Sequence, residues 1–137
     1  MSSNRFGIRV EGLEEVSSAL TDFTPREATN ILRGLMYDIA ATLRNEIRAR
    51  APRDTGDLRK SIAAKRSRMR RGVIGAEVYT KEKGWYWHFA EYGTTHHSER
   101  PYIRPAIQDL EAKLPMILDV KFARRLTKAA EKKANRS

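Results

Sequence analysis

The chain has no cysteine. Disulfides and thiolate metal sites are therefore excluded, although no redox compartment is fixed by that alone. No apolar run approaches the ~18 residues that a membrane-crossing helix requires. The opening MSSNRFGIRVEGL shows neither an apolar signal core nor a small-residue cleavage site. We therefore expect a product made in the cytoplasm, with no targeting segment and no membrane partner. Phosphate-binding loops are missing as well: Gly72 and Gly75 form neither a P-loop nor a dinucleotide fingerprint. Acid is scarce, with 17 Asp and Glu against 27 Lys and Arg, a formal net charge of +10. Such an excess favours nucleic acid, anionic surfaces or acidic protein partners without choosing among them.

What is present suits one globular domain. The 137 residues are 40% hydrophobic and 32% charged, and a chain of this size buries roughly two-thirds of its unfolded surface. The positive charge is unevenly placed. Arg59, Lys60, Lys65, Arg66, Arg68, Arg70 and Arg71 form one cluster. Lys121, Arg124, Arg125, Lys128, Lys132, Lys133 and Arg136 form a second, opposed only by Glu131. We expect a single domain over residues 1–126 and a basic, flexible, solvated tail over residues 127–137.

Hydrophobic spacing predicts the elements. RFGIRVEG alternates, with Phe6, Ile8 and Val10 on one face, and reads as a short strand. Leu13, Val16 and Leu20 stand at helical spacing and predict a short first helix. The strongest pattern is TPREATNILRGLMYDIAATLRNEIRARA, with an apolar stripe from Ala28 through Ile31, Leu35, Ile39 and Leu43 to Ile47. Thr24 is placed to cap that helix, Pro25 suits its first turn and Glu27 completes a capping box. A helix from about Pro25 to Arg50 follows, stopped by Pro52, with Ala51 pushed to extended geometry. Residues Ile62–Arg71 and Val73–Thr80 alternate around Gly72 as a hairpin whose basic end projects into solvent. WYWHFAEYG fits a strand that would put Trp85, Trp87 and Phe89 together or a short helix closed by Gly93, with Trp85, His88, Phe89 and Tyr92 on one face; the helix is the favoured reading. A last helix opens near Pro105 and carries Ile107, Leu110, Leu114, Ile117 and Leu118, with a kink or break at Pro115. The fold class is α+β: a long amphipathic helix and a C-terminal helix on a small antiparallel β-sheet, with a projecting basic hairpin.

Polar clusters that could carry chemistry are weakly supported. His88, Glu91, His96, His97 and Glu99 lie close in sequence. Only His88 and Glu91 have the spacing that puts two ligands on one helix face, and no HExxH or EF-hand pattern is present. A metal-dependent nuclease using His88 and Glu91 ranks last among the readings. Asp54 and Asp57 could form a carboxylate pair for acid–base work, and Ser61 or Thr55 a nucleophile. No motif raises either hydroxyl on a strained turn beside a base. Caps and turns explain APRDTGDLRKSI more simply. Pro52 ends a helix, Asp54 and Thr55 cap a turn, Gly56 permits tight geometry, and Leu58 and Ile62 dock the turn on the core. The arginines could track phosphates, yet stacking aromatics interleaved with them are missing. Trp85, Tyr86, Trp87, Phe89 and Tyr92 cannot all point inward from one short helix, so interface burial of some is expected. Arg66, Arg68, Arg70, Arg71, Trp85, Trp87, Arg124 and Arg125 are the candidate interface residues. Glu91, flanked by aromatics, would be costly to bury alone. We expect it to pair with Arg104 or Arg59.

Three stretches stand in order along the chain: APRDTGDLRKSI, FAEYGT and RPYIRPAI. The ordered set resembles a family of small phage proteins named for gene product ten of phage HK ninety-seven. These are head–tail connector, neck and minor tail-completion components of long-tailed double-stranded DNA phages. The matching positions are Ala51, Pro52, Asp54, Thr55, Gly56, Leu58, Arg59 and Ser61, then Glu91, Tyr92, Gly93 and Thr94, then Pro101, Tyr102, Arg104, Pro105 and Ala106. The resemblance runs from roughly Leu13 to Leu114. The dense aromatics before Glu91 and the long basic tail depart from the family's pattern.

The resemblance implies a structural virion protein with no enzymatic activity and no cofactor, assembled in the host cytoplasm. It implies a homo-oligomeric ring at the neck or the top of the tail. The partners implied are connector, stopper, tail terminator or tail tube proteins, with non-specific contact to packaged DNA. The alternative is a basic nucleic-acid-binding protein, and salt-dependent duplex binding separates the two.

Overall fold

The computed structural model describes residues 7–11, 20, 22–52, 56–68, 73–84, 87–95 and 98–136. In chain order its elements are strand β1 (Gly7–Glu11), helix α1 (Pro25–Arg50), helix α2 (Asp57–Ser61), strands β2 (Ile62–Arg66) and β3 (Gly75–Thr80), a 3-10 turn (Glu82–Gly84), helix α3 (Trp87–Tyr92) and helix α4 (Ile103–Asn135). The class is α+β, two long helices packed on a three-stranded antiparallel sheet.

Helix α1 has the bounds its sequence predicts. The amide of Glu27 donates to Thr24 Oγ1 at 3.2 Å and the amide of Thr24 donates to Glu27 Oε1 at 2.8 Å, closing the capping box. At the other end Ala51 is extended, with φ −66° and ψ 146°, as a residue before proline must be. Leu35, Ile39, Leu43 and Ile47 are buried along its core side.

The sheet order is β1-β3-β2, so the hairpin partner of β2 is the central strand. Ile62 pairs with Thr80 and Ala64 with Val78, while Ile8 meets Val78 from the other side. Strand alternation buries Ala76, Val78 and Thr80 and puts Glu77 and Tyr79 on the opposite face with Lys65. Among the described residues β2 ends at Arg66, and beyond it the amide of Ser67 still donates to the carbonyl of Gly75 at 3.0 Å. Arg68 beyond it is exposed. The Gly72 turn, the first short helix (residues 12–19), Phe6, Asp54, Thr55, Arg70, Arg71, Trp85, His96 and His97 lie outside the described residues.

Helix α4 begins at Ile103, within RPYIRPAI and two residues before Pro105. It runs through Pro115 without the break that proline was expected to cause. It continues through the basic segment to Asn135, so the expected tail is helical there, and its residues are mostly exposed. Proline removes one N–H bond from a helix interior. Around Pro115, however, Leu114, Ile117, Leu118 and Phe122 pack on the core, so tertiary contact outweighs local propensity. The distal half is tied to α1 by polar bonds. Arg125 forks Asp38, and Lys133 Nζ donates to the carbonyl of Asp22 at 2.7 Å and lies 3.4 Å from Glu27 Oε1. No helix among the described residues is long and apolar enough to cross a membrane.

Candidate functional site

The most elaborate polar arrangement among the described residues is where α3 meets α4. Helix α3 ends at Gly93, whose φ of 78° is the left-handed geometry of a helix stop. Its amide donates to the carbonyl of Phe89 at 2.9 Å. Two residues earlier, Glu91 points inward and is 1% exposed. Its Oε1 accepts from the amides of Tyr102 at 2.9 Å and Ile103 at 2.7 Å. Its Oε2 accepts from the amide of Arg104 at 3.1 Å and from Arg104 Nε at 2.7 Å. The Arg104 guanidinium also donates to the Glu91 carbonyl at 2.6 Å and lies over the Tyr92 ring at 5.1 Å. The anticipated pair between Glu91 and an arginine therefore forms, and the partner is Arg104. A carboxylate at a helix N-terminus meets both the unsatisfied amides and the positive end of the helix dipole.

Burial by itself would raise the pKa of Glu91. The bonds from Ile103, Arg104 and Tyr102 outweigh it and hold the carboxyl below its ordinary range. Bonded to that carboxylate, the Arg104 guanidinium is pushed above its already high range. Glu91 is thus an ionised clamp with its oxygens occupied, an unsuitable state for a proton donor or a metal ligand. Among the described residues no group of three or more His, Asp or Glu could hold a metal ion. Tyr102, 1% exposed, completes the joint by donating its hydroxyl proton to the carbonyl of Trp87 at 2.9 Å. Pro101 and Thr94 lie exposed beside it.

The first motif is a second joint. Pro52 follows the end of α1, and Gly56 is the N-cap of α2 with φ 79°, a left-handed conformation that favours glycine. Leu58 and Ile62 are 1% and 0% exposed, docked on the core. Ser61 is buried with its hydroxyl donating to the carbonyl of Leu58 at 2.6 Å, an inward, structural role. It also packs against Gly84, where an added Cβ would lie 3.0 Å from Ser61 Cβ.

The candidate interface residues separate. Arg66, Arg68 and Arg124 are exposed. The Arg125 guanidinium is bonded inside the chain to Asp38, at 2.7 and 2.8 Å. Asp38 is desolvated there, yet the Arg125 bonds prevail and hold its carboxyl below the usual range. Trp87, half-buried, packs against the core. On a helix Trp87 and Glu91 stand four apart on the inward side, which turns Phe89 and Tyr92, 41% and 60% exposed, outward.

Two features have little or no trace in the sequence. Gly34, in mid-helix, sits under Arg125, and a Cβ there would lie 2.7 Å from the guanidinium carbon. An interior helical glycine is unfavourable by about 1 kcal/mol relative to alanine, and that was the available signal of a close approach. Arg48 Nε donates to the carbonyl of Ile62 at 2.9 Å, binding α1 to the first residue of β2. Nothing in the spacing marks that bond.

Residues 14–93, more than half of the chain, match the family described as "Bacteriophage HK97-gp10, putative tail-component". No curated protein and no solved structure matches the chain.

Proposed function

Since the chain belongs to this HK97-gp10 family of phage tail components, we propose that it acts without catalysis as a ring-forming joint of the virion, in head–tail joining or tail completion. Copies of the chain meet head to tail in a ring at the neck or the top of the tail, a heterologous arrangement that closes by rotation. Connector, stopper, tail terminator or tail tube proteins stack on that ring. The observation that carries this reading is the α3–α4 joint. Its buried polar groups are engaged in fixing two helices, while Phe89 and Tyr92 on the same short helix face outward where a neighbour would cover them.

Deleting the gene from its phage or prophage, inducing, and imaging the lysate by electron microscopy tests the proposal. Separate DNA-filled heads and tails, or tails of abnormal length, are the expected result. Normal infectious particles would overturn it.

A further inference from the structure

The charges of α1 are sorted by face. Its three acids all have partners on the chain. Glu27 lies in the capping box and beside Lys133, Asp38 bonds Arg125, and Glu46 bonds Arg50 at 2.7 Å. Arg50 is further paired with Asp109 of α4. The remaining arginines, Arg26, Arg33, Arg44 and Arg48, fall on the opposite side by helical periodicity. Among the described residues none of these four has an acidic partner. Arg44 Nε donates to Asn45 and Arg48 to the carbonyl of Ile62, both neutral acceptors. The buried Nε of Arg33 has no acceptor at all among the described residues. Burial chiefly, and the neighbouring Arg44 after it, lower the pKa of Arg48 against an opposing effect of Tyr37.

The bond from Arg48 to Ile62 places this side of α1 along β2, an edge strand of the sheet. Lys65 is neutralised on the far face by Glu77, at 3.9 Å, and lies over Tyr79. Its neighbour Arg66 alternates to the α1 side, and Arg68 follows it, both exposed and neither in an ion pair among the described residues. Arg26 to Arg48 covers about 33 Å of helix at ~1.5 Å per residue, close to one turn of duplex at ~34 Å.

We propose that the face formed by Arg26, Arg33, Arg44, Arg48, Arg66 and Arg68 is a binding surface for the phosphate backbone of duplex DNA. The partner is identified by what the face lacks. Protein interfaces need a desolvated apolar centre, and the exposed large apolar side chains among the described residues, Val73, Phe89, Tyr92, Met116 and Val120, all lie off α1 and β2. Arginine forks suit phosphate oxygens, and the aromatic that helical periodicity places among them, Tyr37, is half-buried, so the face offers contacts to backbone before bases. The proposal does not rest on the ring reading and is compatible with it, because a ring component can also carry a duplex-binding face. With such a face, duplex binding alone no longer separates the ring from the nucleic-acid-binding alternative, and the deletion phenotype does.

The test is fluorescence anisotropy of the full chain with a labelled random-sequence duplex of roughly 30 base pairs, spanning about three helical turns, over a salt series. Arg26→Gln/Arg33→Gln/Arg44→Gln is compared with Lys128→Gln/Lys132→Gln/Arg136→Gln, which removes the same formal charge from the far end of α4. The first variant should lose at least tenfold in affinity at low salt, with the log–log salt slope shallower by about 0.9 for each phosphate it no longer neutralises. The second should stay within about twofold of the parent, taking counterion release as local to the phosphates touched. Circular dichroism and the unfolding midpoint verify that both variants fold. Equal losses in the two variants, duplex binding indifferent to the first, or tighter binding of polyglutamate than of duplex through the same arginines would each overturn the proposal.

Discussion

Glu91 and Pro105 together leave the first turn of α4 without an orphan donor. The Glu91 carboxylate accepts from the amides of Tyr102, Ile103 and Arg104, and Pro105, next in line, has no amide proton to place. Ordinarily four N–H groups at a helix start need external partners. Removing the carboxylate would strand three amides, while the Arg104 guanidinium, 46% exposed and 3.6 Å from Glu99, can turn to solvent. Glu91→Ala is expected to lower stability by about 1–3 kcal/mol, the range for leaving buried donors unsatisfied. Glu91→Gln should fall between, since its one oxygen still accepts while its NH₂ opposes the donors. Urea unfolding midpoints measure both, and a Glu91→Ala protein as stable as the parent would remove the clamp from the account.

The same carboxylate sets an acid limit. Its pKa in the folded chain lies below its ordinary value of 4.5. A group depressed on folding binds protons more readily in the unfolded chain. Its contribution is therefore fully present above about pH 4.5, and is lost as the pH falls through the lower native pKa. Asp38 is depressed as well and acts in the same direction from its ordinary value of 3.8. Stability should be flat with respect to these two groups near neutrality and fall steeply in acid. In Glu91→Gln the acid slope should be shallower, read from unfolding midpoints across a pH series.

Local signals were enough for α1, because a capping box, an apolar stripe and a terminal proline all act within a few residues. They were enough for the pairing of β2 with β3, and for Glu91, whose aromatic neighbours made an unpaired charge untenable. They failed at α4. Pro115 and a run of basic residues both argue locally against helix. Opposing them are Asp38, 87 residues away from Arg125, and Asp22, 111 residues away from Lys133. Partners that distant leave no periodic trace. The inward turn of Trp87 was hidden for a different reason: helical spacing defines which residues share a face, but not which face the core takes.

The Asp38–Arg125 fork should govern the distal half of α4. Its side chains are 24% and 30% exposed, so the bonds are partly shielded from solvent and salt. A double-mutant cycle with Asp38→Ala and Arg125→Ala is expected to give a coupling of about 1 kcal/mol, near the upper end for accessible pairs. The local effect should exceed the global one. Amides beyond Lys121 should exchange faster in either variant while those of Ile103–Leu114 keep their protection. Unchanged exchange throughout α4 would mean that apolar packing alone holds the helix to α1.

The outward pair on α3 separates folding from assembly. Phe89 and Tyr92 are exposed, while Trp87 and Glu91 on the inward side carry the joint. Phe89→Ser/Tyr92→Ser should therefore shift stability modestly, by about 1 kcal/mol or less for substitutions outside the core. Loss of Tyr92 also removes the ring beneath Arg104, but the Glu91 bonds to that arginine remain. If a neighbouring copy covers these rings, the same change removes aromatic anchors of the interface, where single truncations commonly cost 2 kcal/mol or about thirtyfold in affinity. Sedimentation velocity over a concentration series should show the parent chain in a larger species than the variant. A deletion phage supplied with the variant should then yield fewer joined particles than one supplied with the parent. A variant that self-associates and restores infectivity like the parent would move the interface away from α3.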